Sequence, residues 1–500
     1  MSALAPHAGR RAIGGGWRKV AGTLALLAAL FSDGGAQPAQ PAASPIATPQ
    51  AIPPTQAFAD DRAALDPYLA ALPAQATALV AVRLGGDSGA QWLLQGTGSR
   101  DGAPVTRDSR FELGSVTKAL TGSLLARLAS QGLVQLDDPV ERWLPQLAGT
   151  AAGRLSLRSL ATHQSGLPRL PVSVRFMTSM LRGPRDPYRH YGQADLIAWL
   201  QHWGGEPEPT FAYSNLGFAL LGLALEHAAG QPLARLMEEQ ILRPAQAEGA
   251  GLDEALAAGQ IAGHDEHGRP TPAWTIGAFA GAGALRANAQ QMAALLDAAR
   301  TRRPPFDAGA EREQARRHAH GAVGLGWMRT ERHDDRIVWH NGGTGGFRSF
   351  FGYSEISGRG VVLMVNGQVD VDSLGLHLIN PAFAAEPPGA PRRSGVLGWI
   401  GTLIAAAALG SLAWRAWRPP SRVEQPLEFA VAAAMLAYAW HVSGDWAGPW
   451  PWALAGLALA LGAAMLWRGR AAPRWPAQRR RTLWALASAG LGLAFLAWLW

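Results

Sequence analysis

Phe111-Glu112-Leu113-Gly114-Ser115-Val116-Thr117-Lys118 sets a hydroxyl and an amine three residues apart at the start of a helical run. From Val116 to Leu128 there is no Pro, and apolar residues stand at Val116, Ala119, Leu120, Leu124 and Leu128, a spacing that predicts a helix. Residues three apart share a helix face, so Lys118 points at Ser115 from one turn away. If Ser115 opens the helix, its hydroxyl lies at the positive end of the dipole, where developing negative charge is stabilised. The pattern is that of a nucleophile beside a base.

Of the 45 Lys and Arg residues together, only Lys19 and Lys118 are lysines. A guanidinium stays protonated in proteins, whereas a desolvated ammonium can lose its proton and accept another. Lys118 therefore stands where only a lysine could do that chemistry. A bare Ser-x-x-Lys also fits a helix cap followed by a surface charge, so the reading turns on its companions.

Two later stretches supply them. Phe211-Ala212-Tyr213-Ser214-Asn215 opens a strongly apolar helical run. A Tyr beside an ammonium can be held as phenolate or share its proton, and an Asn can orient both a lysine and a substrate carbonyl. The stretch from Arg336 to Phe347 is a short strand running into glycines, which let backbone amides approach a ligand as an oxyanion hole requires. Taken singly, Tyr213 also reads as a half-buried tyrosine and the glycine stretch as a hairpin.

In order along the chain, Ser-x-x-Lys, Tyr-x-Asn and His-x-Gly resemble the motifs of the serine β-lactamase and penicillin-binding protein superfamily, in its class C β-lactamase, DD-peptidase, esterase and D-aminopeptidase branch. The surroundings are similar too: FELGSVTK from Phe111, QLDDPV from Gln135, LATHQSGLP from Leu160, YSNLGFALLG from Tyr213, GAGALRANAQQMA from Gly281 and HNGGTGGFRSF from His340. The likeness runs over residues 58–380. It implies an α+β fold, an antiparallel sheet flanked by helices with an all-helical subdomain. It also implies Ser115 as the acylated nucleophile, Lys118 and Tyr213 as the pair that moves the proton, and Asn215 as orienter of lysine and substrate. The amides of Ser115 and Gly343 would form the oxyanion hole, and His340, Asn341 and Gly342 would line the substrate side. The third motif departs from the Lys-Thr-Gly of β-lactamases, because a titratable imidazole at His340 replaces a fixed ammonium. The expectation is a pocket without that cation, poor at carboxylated β-lactams and closer to the family's esterases and D-aminopeptidases.

The residues alone point to the same fold class. Thr77–Leu84 and Gln91–Gly96 read as early strands, Ser349–Tyr353 and Val361–Asn366 as late ones, and Leu216–Ala229 and Ala287–Ala299 as helices between them. Strands at both ends of a domain at 58–385 predict an α+β arrangement whose terminal segments pair in one antiparallel sheet. Pro171–Pro209, rich in Pro, Gly and aromatic residues, reads as an insertion that shapes or covers the site. Thr301–Gly321, dense in Arg and Glu, reads as a solvated loop.

The net charge of +8 is located at the ends rather than spread along the chain. Residues 392–500 hold eleven Arg against Glu424, Glu428 and Asp445, and residues 1–33 hold four positive charges against Asp33, which leaves −3 for residues 34–391. That distribution speaks for topology and against nucleic-acid binding. Arg10, Arg11, Arg18 and Lys19 precede an apolar run from Val20 to Phe31 and then Gly34-Gly35-Ala36, the pattern of a secretory signal at 1–36, either cleaved or kept as an anchor. A Pro/Ala-rich linker follows at 37–57. After a hinge at 386–393, four apolar runs at 394–414, 429–444, 446–467 and 482–500 predict a membrane domain of transmembrane helices. Four spans place Arg415, Arg418 and Arg422 on the side of Arg468, Arg470, Arg474 and Arg479–Arg481, with Asp445 opposite.

The chain has no Cys, which excludes disulfides and thiolate zinc sites and suits an exported protein. His264-Asp265-Glu266-His267 and His318-Ala319-His320 lack a third ligand at metal spacing, so neither metal nor cofactor is expected. The expected protein is a serine hydrolase of the inner membrane, its catalytic domain on the periplasmic side, acting on an ester or amide in a small-molecule or peptide-like substrate. The plan also resembles prodrug-activating peptidases of nonribosomal peptide pathways, which remove an N-acyl-D-amino-acid cap. A non-catalytic penicillin sensor is the competing class, disfavoured by intact Ser115, Lys118 and Tyr213. The motifs set neither substrate nor oligomeric state.

Overall fold

The computed structural model describes residues 64–72, 78–85, 90–98, 104–183, 185–207, 210–257, 259–266, 268–312, 314–318, 321–386, 396–417, 422, 424–443 and 450–471. The expected leader, the linker, most of the hinge and the apolar run at 482–500 lie outside the described residues. Twelve strands appear in chain order: β1 (Ala78–Leu84), β2 (Gln91–Gly96), β3 (Phe111–Glu112), β4 (Gly263–His264), β5 (Pro270–Thr271), β6 (Arg286–Ala287), β7 (Ala315–His318), β8 (Gly321–Val323), β9 (Met328–Arg332), β10 (Asp335–Gly343), β11 (Arg348–Ser354) and β12 (Gly360–Val365). Eight of them form one antiparallel sheet in the order β2-β1-β12-β11-β10-β9-β8-β7, while β3 pairs with β6 and β4 with β5. The first and last strands of the domain lie side by side, Leu79 opposite Val365 and Arg83 opposite Val361.

The helices are α1 (64–71), α2 (Val116–Ser130), α3 (Leu157–Ala161), α4 (Val174–Arg182), α5 (Gln193–Gln201), α6 (Asn215–Ala229), α7 (Leu233–Met237), α8 (Ala280–Gly283), α9 (Ala289–Arg300), α10 (Asp372–Ile379), α11 (Val396–Trp417), α12 (Glu424–Ser443) and α13 (Trp450–Arg468). Every residue of β1 is buried, so helices cover both sheet faces. Val80 and Val82 join the core of α2, α6 and α9, whereas Leu79 and Ala81 pack with Leu65 and Tyr68 of α1 and Leu374 and Leu378 of α10. The period of two in the strand thus divides the domain into a large and a small core.

Two helices set the site. α2 is buried nearly all round, as befits a helix through the middle of a large core. A Cβ on Gly122 would stand 1.8 Å from the Leu325 carbonyl oxygen, so α2 meets that loop backbone to backbone. α6 starts where the Ser214 hydroxyl accepts from the Gly217 amide at 2.8 Å and stops at Gly230 in the left-handed region. Gly222 of α6 and Gly281 of α8 pack so closely that a Cβ on Gly222 would be 3.1 Å from the Gly281 Cα.

The stretch at 301–321 is not a solvated loop. Phe306 is buried, its ring centroid 6.1 Å from that of Trp327, and the Leu325 amide donates to the Ala310 carbonyl at 2.7 Å. The charges that suggested solvent are used in ion pairs, Arg302 with Glu311 at 3.2 Å and with Glu355 at 2.7 Å. Pro171–Pro209 carries α4 and α5, the first capped by Ser173, whose hydroxyl accepts from the Phe176 amide at 3.1 Å.

Among the described residues no helix is long and apolar enough to cross a membrane. α11, α12 and α13 pack through Ala408, Leu412, Ala432 and Ala458. Arg415 pairs with Glu428 at 2.8 Å, so α12 opens on polar residues ahead of the expected run at 429–444.

Candidate active site

Ser115 is half-buried and stands at the N-cap of α2. Lys118 is fully buried, and its Nζ contacts Ser115 Oγ at 2.9 Å and donates to the Ala282 carbonyl at 2.7 Å. The glycine contact between α6 and α8 is what carries that carbonyl to the lysine. Among the described residues no carboxylate pairs with Lys118. Burial first, and then the Arg169 guanidinium, hold its pKa well below the usual lysine range. A neutral amine next to a hydroxyl can take its proton.

Tyr213 closes the other side of the serine. Ser115 lies close enough to the Tyr213 hydroxyl to lower its pKa, and Lys118 Nζ lies 5.0 Å from the ring centroid. Burial pushes its pKa up to about 12 against the opposing effects of Ser115 and Arg169, so the ring is a phenol and not the phenolate that the sequence left open. His163, fully buried and in the left-handed region, orders this motif. The Ser214 amide donates to His163 Nδ1 at 3.0 Å, and the rings of His163 and Tyr213 lie 4.5 Å apart. Asn215 lies near the Tyr188 hydroxyl, whose pKa it lowers, and among the described residues its buried Oδ1 has no hydrogen-bond partner, Lys118 included. Asn215 therefore does not hold Lys118, contrary to the role implied for it.

The third motif forms the end of β10. A Cβ on Gly342 would stand 1.9 Å from the Leu113 carbonyl oxygen, and one on Gly114 would stand 2.6 Å from Gly343 N. Glycine at 114, 342 and 343 thus lets the serine turn lie directly on the strand end, with Gly343 exposed beside it. His340 is fully buried, its ring centroid 6.3 Å from that of Tyr213. His340 Nδ1 lies 2.6 Å from the Asn341 carbonyl oxygen, which can only accept, so Nδ1 carries a proton. Asn341 Nδ2 donates to Asp372 Oδ2 at 2.5 Å and so ties the strand to α10.

The site is not short of fixed positive charge, as the loss of the motif lysine suggested. The Arg169 guanidinium lies 5.3 Å from the Tyr213 ring centroid, and Arg348 Nη1 would be 2.7 Å from a Cβ on Gly343. Both cations come from elements outside the three motifs.

The sequence profile of the family described as Beta-lactamase matches residues 65–386. The chain belongs to that family. A β-lactamase of Pseudomonas fluorescens is 25% identical over 322 residues, which cover 55% of this chain and 85% of the relative. The D-alanyl-D-alanine-carboxypeptidase/endopeptidase AmpH of Escherichia coli K12 is 36% identical over 142 residues, 27% of this chain and 35% of AmpH. Esterase EstB of Burkholderia gladioli is 31% identical over 167 residues, 30% of this chain and 40% of EstB. A class C β-lactamase from Rhodobacter sphaeroides shares the fold with a TM-score of 0.56 at 22% identity, covering 66% of this chain and 99% of that one. With peptidases and esterases among its relatives, the chain is a serine hydrolase.

Some of what shapes the site was not singled out in the sequence. His163 sits in LATHQSGLP and Arg169 directly after it, but nothing in a buried His or an exposed Arg foretells a tyrosine packed against both. Tyr188 lies in the segment expected to shape the site, without a pattern of its own. Of the candidate metal groups, His264 is a buried strand residue whose amide donates to the Gly346 and Asn366 carbonyls at 3.1 and 3.0 Å. His267 and residues 319–320 lie outside the described residues.

Proposed function

We propose that the chain is a membrane-tethered, extracytoplasmic serine hydrolase that cleaves an ester or amide in a small-molecule or peptide-like substrate through an acyl-enzyme. The observation that carries this reading is the 2.9 Å contact between Ser115 Oγ and a Lys118 Nζ that is buried away from water and pairs with no carboxylate among the described residues. As Oγ adds to the substrate carbonyl, its proton passes to the lone pair of Lys118. Tyr213, a neutral phenol beside Ser115, gives its proton to the leaving group and recovers it from Lys118. The Ser115 and Gly343 amides take the negative charge on the carbonyl oxygen. Water then releases the acyl group by the same steps in reverse, and Ser115 is restored.

The tether rests on residues 394–500. Their apolar runs and one-sided arginines fit a membrane domain, and among the described residues seven of the eleven exposed large apolar side chains fall between Leu403 and Trp467. Arg422 donates to the Arg470 carbonyl, and Gln425 Nε2 to the Gly469 carbonyl at 3.3 Å, so Arg422 and Arg470, which follow α11 and α13, meet at one end of the bundle. Together with the signal expected at 1–36, this arrangement supports a reading in which residues 64–386 lie outside the cytoplasm.

A fluorophosphonate probe on the full chain in membranes is expected to label the wild type and not Ser115→Ala at equal expression. Undiminished labelling of the variant overturns the assignment. Protease added to intact spheroplasts is expected to remove residues 64–386, and full protection would reverse the topology.

A further inference from the structure

Four large apolar side chains are exposed among the described residues between 64 and 386, and two of them stand at the head of α4: Val172, 48% exposed, and Val174, 65%. The other two are Leu133 and Ile356. α4 is pinned from its inner side, where Phe176 is buried with its ring centroid 5.1 Å from that of Tyr191, so the outer face stays turned to its surroundings. The Trp199 indole of α5 donates to the Val172 carbonyl at 3.3 Å and is only half-buried, which adds an amphipathic ring to the two valines.

Arginines rim this face. Residues 171–190 carry four Arg against one Asp, the buried Asp186, inside a stretch from 34 to 391 that is net −3. Burial first, then Arg182, Arg189 and Arg175, lowers the pKa of His190, so three of the four stand around one ring. Arg175 pairs with Asp195 at 2.9 Å, while Arg185 and Arg189 are exposed and pair with no carboxylate among the described residues. Exposed apolar side chains and an indole within a basic rim suit an anionic bilayer surface. The expected hinge at 386–393 reaches at most about 29 Å. So short a tether gives the domain a high effective concentration at the bilayer, and a contact too weak to recruit a free domain suffices.

We propose that the outer face of α4 and the turn after it, from Val172 to Arg189, is a second membrane contact of the catalytic domain, seated on anionic phospholipid headgroups. The inference rests on the tether of the proposed function and goes beyond it by assigning the face that meets the lipid. Tyr188, in the same segment, lies near Asn215, so the contact brings the active site to the headgroups.

The chain has no Cys, so single cysteines can be labelled without background. Val172→Cys, Val174→Cys, Leu133→Cys and Ile356→Cys, each carrying a nitrobenzoxadiazole label, are reconstituted as full chains in phosphatidylcholine vesicles with and without phosphatidylglycerol. Flotation with the vesicles is read first, and then quenching by lipids spin-labelled near the headgroup.

The labels at 172 and 174 are expected to lose emission to the spin-labelled lipid, more so with phosphatidylglycerol, and those at 133 and 356 to keep it. Arg185→Gln or Arg189→Gln in the Val174→Cys chain should lower the ratio of docked to undocked label about fivefold, the value of one basic side chain at an anionic surface. Quenching at 174 no greater than at 356 in chains that float overturns the contact and leaves the tether standing. Chains that do not float overturn both. Quenching indifferent to phosphatidylglycerol and to both Gln variants overturns the contact too, because something other than anionic headgroups would then hold this face.

Discussion

Lys118 Nζ touches Ser115 Oγ at 2.9 Å, and its only other hydrogen bond among the described residues runs to the Ala282 carbonyl. A lysine so placed has lost water without gaining a counter-ion, and the neutral form is favoured. A guanidinium at this position would keep a positive charge but could not take the serine proton. Lys118→Arg and Lys118→Ala are therefore expected to be equally poor, with kcat/KM down by about a thousandfold or more. Steady-state rates on a p-nitrophenyl ester decide it, and substantial turnover by the Arg variant would show that charge alone suffices.

Tyr213 titrates from the other direction. The active form needs Lys118 neutral, with its pKa lowered, and Tyr213 protonated, with its pKa raised to about 12. Activity should rise with pH as Lys118 loses its proton and then stay level through pH 9–10. A phenolate base would instead give a rate that climbs towards pH 12. Tyr213→Phe should lower kcat by about a hundred- to ten-thousandfold, the usual loss of a general acid. A Phe variant within fivefold of the wild type would remove Tyr213 from the proton path.

The sheet was legible because Ala78–Leu84 and Gly360–Val365 are short apolar runs bounded by turn residues, and α2 and α6 because their apolar spacing is helical. The three motifs announced Ser115, Lys118 and Tyr213 because chemistry fixes their residue types. Phe306 and Glu311 were misread as solvated because partners that bury them, Trp327 and Arg302, become neighbours only when β7 joins the sheet edge. Arg348 was passed over for a similar reason. Along the chain it is one arginine among 43, and only the antiparallel register sets it against Gly343.

Gly122 separates local propensity from packing. Ala in place of Gly inside a helix is worth about 1 kcal/mol in favour of the helix. Here the added Cβ would stand 1.8 Å from the Leu325 carbonyl oxygen and 2.3 Å from its carbon, both backbone atoms. Forcing α2 off that loop should cost more than the propensity returns, about 1–3 kcal/mol net. Thermal denaturation is expected to show a lower Tm for Gly122→Ala, and a Tm at or above the wild type would mean that the loop yields freely.

Asp372 makes stability depend on pH with an unusual sign for a carboxyl group. Burial and then the Asp370 carboxylate push its pKa up to about 8, against the opposing effects of the Asn341 amide and Arg348. In the unfolded chain it ionises near the ordinary Asp value of about 3.9. Between those limits the fold holds a proton that the unfolded chain has released, so stability falls as pH rises from about 4 to about 8. Asp372→Asn keeps an oxygen to accept from Asn341 Nδ2 and removes the titration. The variant should match the wild type at pH 5 and exceed it in Tm at pH 8, the gap widening steadily between. The comparison must be made as a difference between the two proteins at each pH, because every other titrating group is then common to both. A constant gap would show that Asp372 ionises alike in the folded and unfolded chains, and that the Asn341 amide and Arg348 offset its burial in full.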